Sequence, residues 1–98
     1  MYVSIRHAKT QEYTSDEIVR RASEELLPLL KTVRGYVSYD IMMLEDESLM
    51  TISLFESKAA VEQSNQIFST WAKSFDLGSL IEGTPALMMG EVVFHQAR

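Results

Sequence analysis

GYVSYDIMMLEDESLMTISLFESKAAVEQSNQIFSTW, running from Gly35 to Trp71, is the stretch that decides the fold. It reads without a break as strand, tight turn, strand and capped amphipathic helix. The two strands fix each other's register through the four-residue turn Glu45-Asp46-Glu47-Ser48. With Leu44 opposite Leu49, the pairs Met43/Met50, Ile41/Ile52 and Tyr39/Leu54 form a core face, and Met42/Thr51, Asp40/Ser53 and Ser38/Phe55 form a mixed one. Ser57 is placed to cap the helix that follows, which the spacing carries to about Phe75.

Upstream, Tyr2 to Ala8 alternates, with Val3, Ile5 and His7 on one side and Tyr2, Ser4 and Arg6 on the other, as a strand between two environments should. Thr14-Ser15-Asp16-Glu17 matches the capping box that opens a helix. Ile18, Ala22, Leu26, Leu29, Leu30 and Val33 then recur at helical spacing. Pro28 falls on the wet face of that helix, where water can satisfy the freed Glu24 carbonyl, so a bend is expected rather than a break. Downstream, Gly78, Gly83, Thr84 and Pro85 mark an irregular connection before a last strand, Ala86 to Gln96.

The order β-α-β-β-α-β is the ferredoxin-like arrangement, an α+β class with a four-stranded antiparallel sheet and both helices on one face. That leaves the other face open. On the register above it carries Tyr2, Tyr36, Met42, Phe55 and Val93 among polar residues, together with Arg6, Asp40 and Glu91, and it is too apolar to be left in water. A second copy of the chain is the natural cover, with the three charged residues in interface salt bridges, Arg6 serving a carboxylate of its own or the other subunit.

The chain's 98 residues make one domain, spanning 1–98. A domain of this size buries only roughly 60 to 65% of its unfolded surface, which also favours a partner. With 46% hydrophobic and 23% charged residues, the sequence is neither disordered nor membrane-spanning. No cysteine is present, which removes disulfides, thiolate metal sites and cysteine nucleophiles. A net charge of −5 with scattered Lys and Arg gives no footprint for nucleic acid. The start MYVSIRHA has no secretory pattern, so the cytoplasm is the expected compartment.

The segments GYVSYD, SLFESKAA and SNQIFSTWA, with GEVV at Gly90 to Val93 as a weaker match, resemble the antibiotic biosynthesis monooxygenase (ABM) family of dimeric α+β barrels. The resemblance implies a homodimer with its sheets face to face, and a small-molecule pocket in each subunit between sheet and helices. Some relatives oxidise aromatic polyketides without metal or flavin, and some degrade haem. The haem-degrading branch carries an iron-binding histidine late in the second helix. Here that segment reads FSTWAKSF, Phe68 to Phe75, without a histidine, so haem is not expected; no metal cluster appears in the sequence, and oxygen reacting directly with an activated substrate anion needs no cofactor.

On a helical wheel centred on Phe68, the second helix turns Val61, Ser64, Trp71, Ala72, Phe75 and, nearer the edge, Asn65 inward. Two polar side chains on an apolar face need partners. They can be satisfied by backbone, Ser64 by its own helix and Asn65 by a nearby main-chain group. They can equally hold a ligand oxygen, with Phe68 and Trp71 as aromatic walls. Tyr39 and His7 lie on the same core face as expected acid/base groups, each with an ordinary structural hydrogen bond as its alternative. His95 lies roughly 15 to 20 Å from His7 at about 3.3 Å per residue, which excludes a shared metal. Glu45, Asp46 and Glu47 form a solvated hairpin tip rather than a calcium loop. The reading is therefore an ABM-like cofactor-free monooxygenase for a small aromatic or quinone-like compound. Catalytic candidates are Asn65, Tyr39 and His7, and substrate-binding candidates are Ser64, Phe68 and Trp71. The alternatives are a non-catalytic dimeric small-molecule binder, or a structural domain whose pocket its own side chains fill.

Overall fold

The fold is seen in a computed structural model that describes residues 1–97. Its elements run β1 (Tyr2–Thr10), α1 (Ser15–Arg21), a π-helical turn (Ala22–Leu26), α2 (Leu27–Leu30), β2 (Tyr36–Met43), β3 (Leu49–Phe55), α3 (Lys58–Ser74) and β4 (Ile81–Glu91), with a short 3₁₀ turn at Leu77–Ser79 before β4. The four strands form one antiparallel sheet in the order β2-β3-β1-β4, the ferredoxin-like order, with the helices on one face. Phe55, Leu26, Leu30, Val33, Val61 and Trp71 build the core between the layers.

The hairpin register differs from the sequence reading by one residue. Leu44 N–H donates to Ser48 O at 2.9 Å and Glu47 N–H to Leu44 O at 2.9 Å, so the loop is the three residues Glu45 to Glu47, closed by Glu47 at φ 68°. Tyr39 therefore pairs with Ser53, Ile41 with Thr51 and Met43 with Leu49. A one-residue slip moves a whole strand's side chains to the opposite face. Near its start β2 carries an extra residue, Val37, which returns Tyr36 to the side of Phe55, and those two rings meet edge to face at 6.0 Å.

The faces of β1 are the reverse of those expected. Ser4 and Arg6 bond to α3, so Tyr2, Ser4, Arg6 and Ala8 lie under the helices. Ser53, expected at the centre of the open face, is 2% exposed beneath α3, and Phe55 is 0% exposed. Tyr2, Tyr36, Phe55, Arg6 and Glu91 thus leave the open-face set, and only Met42, Ser38 and Asp40 of the strand residues named for it remain. That face instead presents Val3, Ile5, Met42, Met50, Ile52, Leu54 and Met88. The physical reason is close packing. Ser4, Ser53 and Ser64, all buried, are small enough to let α3 approach the centre of the sheet, so the face that carries the strand serines turns inward.

The first helix starts after Thr14 as expected, but the capping box does not form. The Thr14 hydroxyl donates to Gln11 O and Leu80 O, both at 2.8 Å, and so ties the helix entry to the start of β4. Pro28 is absorbed by the π turn before it, in which Leu27 N–H reaches back to Ala22 O. The wider turn accommodates the proline without ending the helix. Ser57 caps α3 as expected, accepting from Ala60 N at 3.2 Å. The last strand begins at Ile81 rather than Ala86, and Pro85 is tolerated because β4 is an edge strand. It ends at Glu91, so Val93 and His95 lie beyond it.

Gly35 enters β2 at φ +94°, and a Cβ there would sit 3.4 Å from Glu56 Cβ. Its carbonyl accepts from Glu56 N at 2.8 Å, which holds the backbone in that conformation. Gly35→Val is expected to cost about 1–2 kcal/mol from the left-handed backbone alone. Thermal melting should show a midpoint lowered by roughly 4 to 16 °C, and an unchanged midpoint would rule out a held positive φ.

Candidate functional site

The site is built where the inner face of β1 meets α3. The Asn65 side-chain oxygen accepts from Ser4 Oγ at 3.1 Å and from Arg6 Nη2 at 2.9 Å, and its amide nitrogen contacts the Met89 sulfur at 3.0 Å. Arginine has only donors, so the amide oxygen must face it. The Arg6 guanidinium also stacks on the Phe68 ring, 3.8 Å from the centroid. Among the described residues, no ion pair includes Arg6. Burial lowers its pKa to about 10, opposed by its proximity to Tyr39, so it remains a cation at neutral pH.

Two spaces share Arg6 and Phe68 as a common wall. Inside, a cavity bordered by Tyr39, Ile41, Thr51, Trp71 and Leu77 leaves about 50 Å³ for the centres of water molecules. That holds a few waters and no ring system. Outside, a groove of about 500 Å³ runs between α3 and the bulged start of β4, bordered by Asn65, Ala72, Lys73, Ile81, Pro85 and Leu87. The bulge pairs Lys9 with Glu82 and His7 with Ala86, which pushes Gly83, Thr84 and Pro85 out to form the groove's far side.

Each expected site residue has a definite place. Ser64 bonds its own helix, donating to Val61 O at 2.7 Å, and is 2% exposed, so it is not offered to a ligand. Asn65 is held by side chains rather than by the main-chain group expected. The Phe68 and Trp71 rings meet at a tilt of 57° with centroids 5.6 Å apart, and Trp71 Nε1 donates to Glu25 Oε1 at 3.1 Å. Tyr39 borders the inner cavity, and burial pushes its hydroxyl up to about 12, opposed by the Arg6 cation and the Thr51 hydroxyl. It keeps its proton at neutral pH and can act there as a donor, not as a base.

His7 is not brought to the site. It adjoins the cavity through its place in β1, but its ring turns to the open face and bonds Ser48 Oγ at 2.8 Å. The Ser48 hydroxyl donates to Asp46, so the imidazole Nε2 must be the donor to it. The residue missed from sequence is Arg6, which the expected faces put on the far side of the sheet. A signal was available, because Ser64 and Asn65 turn inward on α3 and an opposing strand rich in polar residues, Ser4 and Arg6, would complement them.

Among the described residues, no three His, Cys, Asp or Glu side chains gather closely enough to hold a metal ion, and no helix is long and apolar enough to cross a membrane. The geometry defines an α+β protein with a ligand-sized groove between sheet and helix. No protein-family model matches the sequence, and no curated protein matches it significantly. Solved structures do match. One is a monooxygenase from the gene ActVA-Orf6 of Streptomyces coelicolor in complex with nanaomycin D, with 17% identity over 99% of this chain and 91% of that one and a TM-score of 0.79. Another is a mutant form of SnoaB, a cofactor-independent oxygenase of Streptomyces nogalater, with 10% identity over 99% and 97% and a TM-score of 0.75. A third is an antibiotic biosynthesis monooxygenase, with 14% identity over 95% and 99% and a TM-score of 0.73. The chain has the ABM fold.

Proposed function

We propose that the protein is an ABM-like, cofactor-independent monooxygenase for a small aromatic or quinone-like compound, acting as a homodimer with its sheets face to face. The observation that carries the catalytic reading is the Asn65–Arg6–Phe68 cluster, two polar groups and a ring placed together on the wall of a ligand-sized groove. Asn65 and Arg6 orient a substrate oxygen, and Phe68 packs the ring. An enolised or phenolic substrate that has lost a proton to solvent transfers electrons to O₂ and forms a C–O bond at a carbon that still bears a hydrogen, and the resulting peroxide anion takes up a proton from solvent to give a hydroperoxide. Loss of water from that hydroperoxide leaves a new carbonyl, so one oxygen atom enters the product and the other leaves as water. Tyr39, which stays protonated, borders the inner cavity behind Arg6 and Phe68 rather than the groove, so the departing oxygen takes its proton from solvent in the open groove.

The dimer is supported by the open sheet face, whose Val3, Ile5, Met42, Met50, Ile52 and Leu54 have no helix over them. A contiguous apolar face of this kind marks an interaction surface.

The small volume of the inner cavity favours a second reading, a non-catalytic binder that holds its ligand in the outer groove. Oxygen uptake with anthrone and hydroxynaphthoquinone substrates separates the two. Stoichiometric consumption of O₂ with formation of a carbonyl product supports the monooxygenase. Tight binding without oxygen uptake supports the binder.

A further inference from the structure

We infer that the groove takes a planar aromatic ligand carrying an anionic oxygen, with Arg6 as the receptor for that charge, an inference that rests on the ligand-binding reading above. The chain is acidic overall, with 14 Asp and Glu against 9 Lys and Arg. The lining of the groove reverses this balance, because it contains Arg6 and Lys73 and no carboxylate. The inner cavity likewise includes Arg6 and no carboxylate. A guanidinium withdrawn from water ordinarily has an acidic partner, since desolvating an unpaired charge is costly. Arg6 has none among the described residues. Among the described residues its one hydrogen-bond acceptor is the neutral amide of Asn65, which occupies a single N–H of the five that a guanidinium carries.

The guanidinium lies over the Phe68 ring, with Cζ 3.8 Å from its centroid, and is bonded through Nη2 to Asn65, so it is held at two points with other N–H groups left over. A guanidinium so held suits a delocalised oxygen anion, which it can meet with two parallel hydrogen bonds. The apolar side chains beside it, Ala72, Ile81, Pro85 and Leu87, suit a ring. An aromatic enolate or phenolate supplies both features in one molecule.

The test is isothermal titration of the full chain with lawsone, a hydroxynaphthoquinone that is anionic at neutral pH, and with its O-methyl ether, which has the same rings and no charge. The wild type is expected to prefer lawsone by about tenfold or more. Arg6→Met, which keeps the unbranched stem against Phe68, should bring the two affinities within about twofold by weakening lawsone alone. Survival of the preference in Arg6→Met overturns the inference, as does its loss in Lys73→Gln, an exposed-site variant that bears on the assignment even if Arg6→Met folds poorly. Equal affinities in the wild type overturn the anion receptor and leave the groove as a ligand site. Failure of both compounds to bind overturns the ligand-binding reading with it.

Discussion

Ile5→Arg is expected to convert a dimer into a monomer. Ile5 lies on central strand β1 opposite Ile52 of β3 and Met88 of β4, so the new guanidinium would enter the middle of the open face with apolar neighbours on both sides. Burying a charge there without a partner costs several kcal/mol, and about 3 kcal/mol alone weakens association by roughly a hundredfold. Sedimentation at micromolar concentration should show the wild type as a dimer and the variant as a monomer with its helix content retained. Ser53→Arg makes the contrast, because Ser53 is buried under α3 and an arginine there should disrupt the subunit itself. A dimer that persists in Ile5→Arg would refute the sheet-to-sheet arrangement.

Asn65→Leu should damage both stability and ligand handling. The substitution removes the acceptor shared by Ser4 and Arg6, and a buried donor left without a partner costs about 1–3 kcal/mol. In a chain this short that is a fall of roughly 4 to 24 °C in the melting midpoint. With the fork of Arg6 released from its anchor, turnover or binding should fall by about tenfold or more, since loss of positioning acts directly on rate. Replacement by Asp offers a second readout, because it keeps the acceptor and supplies Arg6 with a carboxylate. Asn65→Asp should melt no lower than wild type while binding of an anionic ligand falls. A melting midpoint unchanged in Asn65→Leu would mean that the shared hydrogen bonds contribute nothing.

The order of elements, the start of α3 at its Ser57 cap and its end near Phe75 are legible because each rests on local chemistry, the period of apolar residues and a capping hydroxyl. Which sheet face lies under the helices is not. Alternation separates Val3 and Ile5 from Ser4 and Arg6, but it cannot say which set is inside when a partner would bury the other as well. Hydrophobicity alone puts the more apolar set inward, whereas the close approach of α3 needs the small Ser4 and Ser53 beneath it. The inward turn of Asn65 follows from the helical wheel. Its partner Arg6 does not, because that contact joins residues 59 apart through the face assignment that fails. His7 is misplaced by the same inversion, and Tyr39, assigned correctly to the inner face, is reached through an incorrect register.

The hairpin tip makes the length of the loop matter more than its composition. Glu45 is exposed and can drift through polar residues, Glu47 needs only a residue that accepts a left-handed backbone, and Asp46 is constrained to a side chain that can accept from the Ser48 N–H and hydroxyl. Insertion or deletion of one residue would be another matter, because every side chain of β2 would exchange sides and take Tyr39 and Ile41 out of the cavity wall. Natural variation in this loop should therefore appear as substitutions, with changes in length confined to those that preserve parity.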